Sequence, residues 1–157
     1  MALLVGRHVN KIDKKGRVSV PKPFRSAFAQ QEFNGVYAYP LFKSSAIEVC
    51  GESFMARLSD SLDELDMFSD EQDDLATVIM NNAEALPFDP EGRIVLPGRF
   101  LDHAEIKGDA VFVGRGRRFQ IWAPDAFEGH NQRAFERARA RGATLKLRPH
   151  DSVDGDS

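Results

Sequence analysis

The chain repeats itself. Ile12-Asp13-Lys14-Lys15-Gly16-Arg17-Val18-Ser19-Val20-Pro21-Lys22-Pro23-Phe24-Arg25 aligns without a gap on Phe88-Asp89-Pro90-Glu91-Gly92-Arg93-Ile94-Val95-Leu96-Pro97-Gly98-Arg99-Phe100-Leu101. Five of the fourteen positions are identical: Asp13/Asp89, Gly16/Gly92, Arg17/Arg93, Pro21/Pro97 and Phe24/Phe100. Gly35 to Tyr39 loosely matches Asp109 to Val113, and Ala46 to Cys50 loosely matches Arg118 to Trp122. Each copy is thus about 45 residues, a size near the limit for independent folding. Two such copies are expected to bury their apolar faces against each other in one pseudo-twofold sheet core. The sequence leaves open whether they exchange strands.

Within each copy, Asp-x-x-Gly-Arg reads as a turn. The aspartate side chain caps it, and glycine supplies positive φ without steric cost. Arg17 to Val20 and Arg93 to Leu96 follow as short strands. Proline ends each strand, since it has no N–H to give a ladder, and suits the opening of a short helix. Phe24, Ala27 and Phe28 share one face of the first helix; Phe100, Leu101 and Ala104 share one face of the second. Two further strands complete each unit, giving an α+β chain.

The segment between the copies reads as a helical hairpin. Phe54, Leu58, Leu62 and Leu65 recur at helical spacing behind Ser53 as a predicted N-cap, and Ser69-Asp70-Glu71-Gln72 opens a second helix as a capping box. Pro124 opens a C-terminal helix to about Arg141. Phe127, Ala134, Phe135 and Ala138 lie on or near one side, and Arg133, Arg137 and Arg141 recur on another. The expected organisation is a first repeat at 7–54, an acidic helical connector at 55–82, a second repeat at 83–126, a C-terminal helix at 127–142 and a disordered tail at 143–157.

Charge is segregated beneath a formal total of −3. Residues 1–25 carry seven Lys/Arg against the single acid Asp13, residues 48–91 carry thirteen acids against Arg57, and residues 115–148 carry nine bases against three acids. A partner feels charge within about 10 Å, so the blocks matter more than the total. Two basic blocks around an acidic one suit a nucleic-acid binder with a distinct second face; mutual neutralisation across the fold is the competing reading. The Arg133/Arg137/Arg141 stripe either meets a neighbour's acidic helices, the preferred reading, or reaches DNA.

The first turn concentrates the candidate binding chemistry. Lys14, Lys15 and Arg17 sit within four positions at a hairpin tip beside Gly16, with Lys22 just beyond. Lysines there suit phosphates, and an arginine fork suits a guanine edge. Asp13 and Asp89 are placed to orient Arg17 and Arg93 toward a ligand; the competing reading is that those pairs simply lock each turn. The second turn puts Pro90-Glu91 where the first has Lys14-Lys15, so it should bind a polyanion less well. Other chemistries are poorly served. His8, His103, His130 and His150 are scattered, and one cysteine, Cys50, makes neither an internal disulfide nor a Cys-rich metal site. Val113-Gly114-Arg115-Gly116-Arg117-Arg118 lacks the third glycine of a dinucleotide fingerprint and reads as a basic turn. No apolar run reaches the roughly 18 residues of a membrane span, and the N-terminal apolar stretch is short for a signal peptide. The expectation is no enzyme, no cofactor, no metal, no membrane and no small-molecule substrate.

The doubled turn, Asp13 to Pro21 with its echo at Asp89 to Pro97, resembles the MraZ family of bacterial transcriptional regulators, as does Val113-Gly114-Arg115-Gly116-Arg117-Arg118-Phe119-Gln120-Ile121-Trp122. The resemblance covers about residues 6–140. It implies two tandem SpoVT–AbrB-like swapped-hairpin units forming a pseudo-twofold small β-barrel core with peripheral helices. It also implies a ring-shaped homo-oligomer in the cytoplasm, associated with the nucleoid. Double-stranded DNA is the implied partner, bound at short promoter direct repeats to repress a division and cell-wall gene cluster that includes the regulator's own gene. The DNA-facing elements map to Asp13–Arg17 and Asp89–Arg93. Gln120 departs from the acid usual before Ile-Trp. The alternative is an antitoxin-like, protein-binding oligomer without a promoter target.

Overall fold

The computed structural model describes residues 2–149. The first copy runs β1 (Arg7–Lys11), β2 (Arg17–Ser19), α1 (Lys22–Ser26), β3 (Gly35–Pro40) and β4 (Ile47–Cys50). The second repeats that order as β5 (Glu84–Pro87), β6 (Arg93–Val95), α4 (Gly98–Ala104), β7 (Asp109–Gly114) and β8 (Phe119–Trp122). Between them lie α2 (Glu52–Asp63) and α3 (Asp70–Ala76), the latter continued by a π-helical turn at Thr77–Asn81. The last helix, α5, spans Pro124–Arg141.

The copies interleave. Six strands form one antiparallel sheet in the order β1-β7-β8-β4-β3-β5, and β2 pairs with β6 in a separate ribbon. The first strand of each copy therefore pairs with the third strand of the other: β1 with β7 and β5 with β3. Exchanging the copies turns the strand order into its own reverse, which is a pseudo-twofold relation. The sheet is open, with edges β1 and β5, and is not the closed barrel that the resemblance implied. The two middle strands of each half supply the physical reason: β4 pairs with β8 across the centre, so closure would need β1 to reach β5, and no such pairing forms among the described residues.

One core serves both copies. Phe24 and Phe100, equivalent in the repeat, are 1% and 0% exposed, and they share a cluster with Val18, Val20, Ile94, Leu96, Phe112 and Phe119. Pro21 and Pro97 stand at the N-caps of α1 and α4, as the prolines predict. Helix α5 is pinned at its start, where Phe127 packs edge-on to Trp122 with ring centroids 5.8 Å apart. Its second half is mostly exposed, Phe135 included. The N-cap of α2 is Gly51, two residues before the predicted cap Ser53. Gln31 explains the earlier start: its Oε1 accepts from the Glu52 N–H at 3.0 Å, and a Cβ on residue 51 would lie 2.6 Å from that oxygen. Ser69 does cap α3, accepting from the Gln72 N–H. In the segment 143–157, residues 143–149 are exposed without helix or strand, and residues 150–157 lie outside the described residues.

Candidate nucleic-acid interface

The ribbon of β2 and β6 brings the two repeated turns onto one surface. Arg17 faces Val95, Val18 faces Ile94 and Ser19 faces Arg93. Val18 and Ile94 are both 1% exposed and point into the core. Strand alternation then sends Arg17, Ser19, Arg93 and Val95 to the outer face. The turns are tied into this ribbon symmetrically. The Leu96 N–H donates to the Gly16 carbonyl at 2.8 Å, and the Val20 N–H donates to the Gly92 carbonyl at 3.1 Å.

Each turn is built by its aspartate. Asp13 Oδ1 accepts from the backbone N–H groups of Lys15 and Arg17, both at 2.9 Å, while Oδ2 accepts from Arg17 Nε at 2.6 Å. Asp89 does the same for Glu91 and Arg93, at 2.9, 2.8 and 2.7 Å. Both carboxyls are held below the usual aspartate range, above all by the backbone N–H of the arginine four residues on, with its guanidinium adding to the effect. Arg93 is shifted upward chiefly by its hydrogen bond to Asp89. The Asp13 carboxylate adds to that shift, so the second turn feels the charge of the first. Gly16 and Gly92 have φ of +85° and +77°. A Cβ on Gly16 would lie 2.7 Å from the Leu96 carbonyl oxygen, so the left-handed turn and the close approach of the other copy both require glycine there.

The two ends of the ribbon differ electrostatically. Lys14, Lys15 and Lys22 are exposed and make no ion pair among the described residues. At the second turn, Arg93 bonds Glu91 as well as Asp89. Arg17 meets only Asp13 and uses only Nε to do so, which leaves its two terminal nitrogens without a partner among the described residues. The fold thus gathers Asp13, Lys14, Lys15, Gly16, Arg17, Asp89, Gly92 and Arg93 at one ribbon, and Lys22 follows it at the start of α1.

A family model described as MraZ protein, antitoxin-like, matches residues 79–148. A "Transcriptional regulator MraZ" of Pelagibacter ubique (strain HTCC1062) is 44% identical over 148 residues, covering 94% of this chain and 96% of that one. A protein of the same name from Rickettsia rickettsii (strain Sheila Smith) is 42% identical over 146 residues, covering 93% and 98%. The chain belongs to the MraZ family. MraZ proteins are transcriptional regulators rather than enzymes. The match spans both turns, so the doubled Asp-x-x-Gly-Arg element lies within the part of the chain shared with these MraZ relatives.

At the centre of the six-stranded sheet, where β4 pairs with β8, lies a polar group that sequence reasoning missed. Glu48 on β4 is 4% exposed and stands in register opposite Gln120 on β8. Gln120 Nε2 donates to Glu48 Oε1 at 2.9 Å, Trp122 Nε1 donates to Gln120 Oε1 at 2.9 Å, and Arg118 Nε donates to Glu48 Oε2. The departure from an acid at position 120 now has a reason. The carboxylate comes from the neighbouring strand, and an amide is the side chain that both donates to it and accepts from the indole. Glu48 within the apolar run Ala46 to Cys50 was the one sequence signal, but its meaning depends on a cross-strand register. Cys50 is buried as expected, and burial pushes its thiol up to about 12, which makes it a poor nucleophile at neutral pH. No helix among the described residues is long and apolar enough to cross a membrane, and they hold no cluster suited to a metal ion.

Proposed function

We propose that this MraZ-family chain is a DNA-binding transcriptional regulator whose reading surface is the outer face of the β2–β6 ribbon. The observation that carries the reading is the pairing of β2 with β6, which joins both Asp–Arg turns on one exposed surface with Lys14 and Lys15 unpaired at its tip. In this reading Lys14, Lys15 and Lys22 neutralise phosphates. Arg17, held at Nε by Asp13, presents its free terminal nitrogens to a base edge or phosphate. Arg93 plays a smaller part, because Glu91 already occupies one of its nitrogens.

The finer expectations belong to the same proposal. Tandem swapped-hairpin units would build the protomer, with the repeats at 7–54 and 83–126. A homo-oligomeric ring would multiply a tip of modest affinity across short direct repeats in the promoter of a division and cell-wall cluster, repressing it in the cytoplasmic nucleoid. The antitoxin-like description of the family model supports a second reading, a protein-binding oligomer without a promoter target. Unpaired tip lysines favour DNA over that reading.

The test is a gel-shift series on the DNA upstream of the chain's own gene, with a scrambled control and a salt titration. Lys14→Glu with Lys15→Glu should abolish retention at physiological salt without lowering the melting temperature. Removing a single charge, as in Lys15→Gln, should flatten the log–log salt slope by about 0.9 if that lysine neutralises one phosphate. Undiminished specific binding by the double variant removes the tip from the model.

A further inference from the structure

A second charged feature lies away from the ribbon. Between the loop after β3, the β7–β8 turn and the stretch of α5 from Asp125 to Arg137 is a cleft of about 570 Å³. Its rim carries Lys43, Arg115, Arg133 and Arg137 against one carboxylate, Asp125. None of these five groups makes an ion pair among the described residues. Its floor is the half-buried His130 ring, which stacks on the buried Trp122 with ring centroids 4.6 Å apart. Four cations around an aromatic floor call for an anionic ligand that also brings an apolar group.

The same chain displays such a ligand elsewhere. The corner between α2 and α3 reads Asp66-Met67-Phe68-Ser69-Asp70. Phe68 is 95% exposed and Met67 75% exposed, while Asp63, Glu64, Asp66, Asp70 and Glu71 around them are unpaired among the described residues. The corner is also rigid. Ser69 Oγ donates to the Asp66 carbonyl at 2.7 Å and accepts from the Gln72 N–H at 3.1 Å, which fixes the chain on both sides of Phe68. An aromatic anchor on a preorganised acidic bend loses little entropy on docking.

We propose that the Asp66–Asp70 corner of one copy docks in the Trp122–His130 cleft of a second copy, with Phe68 on the aromatic floor and its flanking carboxylates on Arg115, Arg133, Arg137 and Lys43. The inference rests on the oligomeric part of the proposed function and supplies the contact that part needs. Corner and cleft are different surfaces, so the contact is head-to-tail, and each copy has one of each to offer.

The experiment measures mass without DNA, by sedimentation velocity on the full chain at micromolar concentration. Phe68→Asp and the pair Arg133→Glu with Arg137→Glu should each weaken assembly by about a hundredfold, the effect of losing a central anchor. Their circular dichroism should match the wild type, because Phe68 and the arginine head groups lie outside the core. The decisive arm mixes the two variants. One retains a working cleft and the other a working corner, so the mixture should form a one-to-one heterodimer and stop there. A mixture that stays monomeric, or single variants that keep the wild-type mass, overturns the docking and leaves the regulator reading standing. An arginine pair variant that assembles normally but loses DNA retention assigns the cleft to DNA and likewise overturns it. A wild type that is monomeric removes the ring along with the docking, while the tip's gel-shift result stays independent of both.

Discussion

Replacing Gln120 with glutamate tests the buried polar group with a sign as well as a size. The substitution keeps the shape of the side chain and puts a second carboxyl where an amide now donates to Glu48 at 2.9 Å. Residues 48 and 120 are 4% and 5% exposed, so two carboxylates at that separation cannot both stay ionised. The pair must keep one proton. Holding a carboxyl protonated at pH 7, about 2.7 units above its ordinary value near 4.3, costs about 3.7 kcal/mol at ~1.36 kcal/mol per unit. Arg118 offsets part of this through its contact with Glu48, so the expected loss at pH 7 is about 2–4 kcal/mol.

The proton also fixes the direction. The pair binds a proton more tightly folded than unfolded, so the penalty is small below about pH 4.3 and grows as pH rises, by up to about 1.4 kcal/mol per unit. Urea unfolding of variant and wild type at one protein concentration, from about pH 5 to about pH 8, reads the difference directly. Pairing Gln120→Glu with Glu48→Gln restores one acid and one amide in contact and should remove most of the pH dependence. A stability difference between Gln120→Glu and wild type that is equal at both ends of the range refutes the reasoning.

Two further outcomes follow from local geometry. Gly16 and Gly116 both have positive φ, +85° and +90°, but only a Cβ on Gly16 meets a backbone atom within 4 Å, so Gly116→Ala should cost about 1 kcal/mol and Gly16→Ala clearly more in chemical denaturation. Equal costs would show that the Leu96 contact is immaterial. His130 is held below its ordinary value of 6.5 by burial first, and then by Arg115, Arg137 and Arg133. The unfolded chain therefore takes the proton first, and His130's contribution is intact above about pH 6.5 and lost as pH falls toward the folded value. Melting temperature should drop more between pH 7 and about 5.5 in the wild type than in His130→Gln; parallel profiles would exclude the effect.

What the sequence made legible was local. Asp-x-x-Gly-Arg specifies its own turn, because every hydrogen bond that builds it lies within four residues. The prolines mark the strand ends for the same reason, and repetition doubled the signal. Strand partners were not legible, since β1 finds β7 across about a hundred residues and either hairpin pairing or exchange satisfies the same alternation. The Glu48–Gln120 contact needed that register and stayed hidden with it. The cap of α2 failed similarly: Gln31 supplies it from twenty-one residues away, so the nearby Ser53 was a false local signal. In α5, spacing put Phe127 and Phe135 on or near one side, but only Phe127 is buried, because its packing against Trp122 depends on the tertiary fold; Phe135 is exposed beneath the Arg139 guanidinium.

The asymmetry of the ribbon bears on which DNA arrangement the proposed regulator would favour. A surface with true twofold symmetry presents itself identically to both strands and suits a palindrome. Here the backbone is near-symmetric about the Val18–Ile94 pair, but the chemistry is not: Lys14-Lys15 flanks one end and Pro90-Glu91 the other. A phosphate chain crossing the ribbon meets cations at one end and Glu91 at the other, so the two orientations of the protomer on a duplex differ in energy. Copies joined head-to-tail point their ribbons in one rotational sense. In the proposed regulator, orientation preference and head-to-tail assembly would together select sites repeated in the same direction. Exchanging Lys14-Lys15 with Pro90-Glu91 should therefore reverse the preferred orientation on a half-site, read by footprinting with a cleaving group tethered to one end of the ribbon, whereas making both turns lysine-bearing should let one protomer accept either.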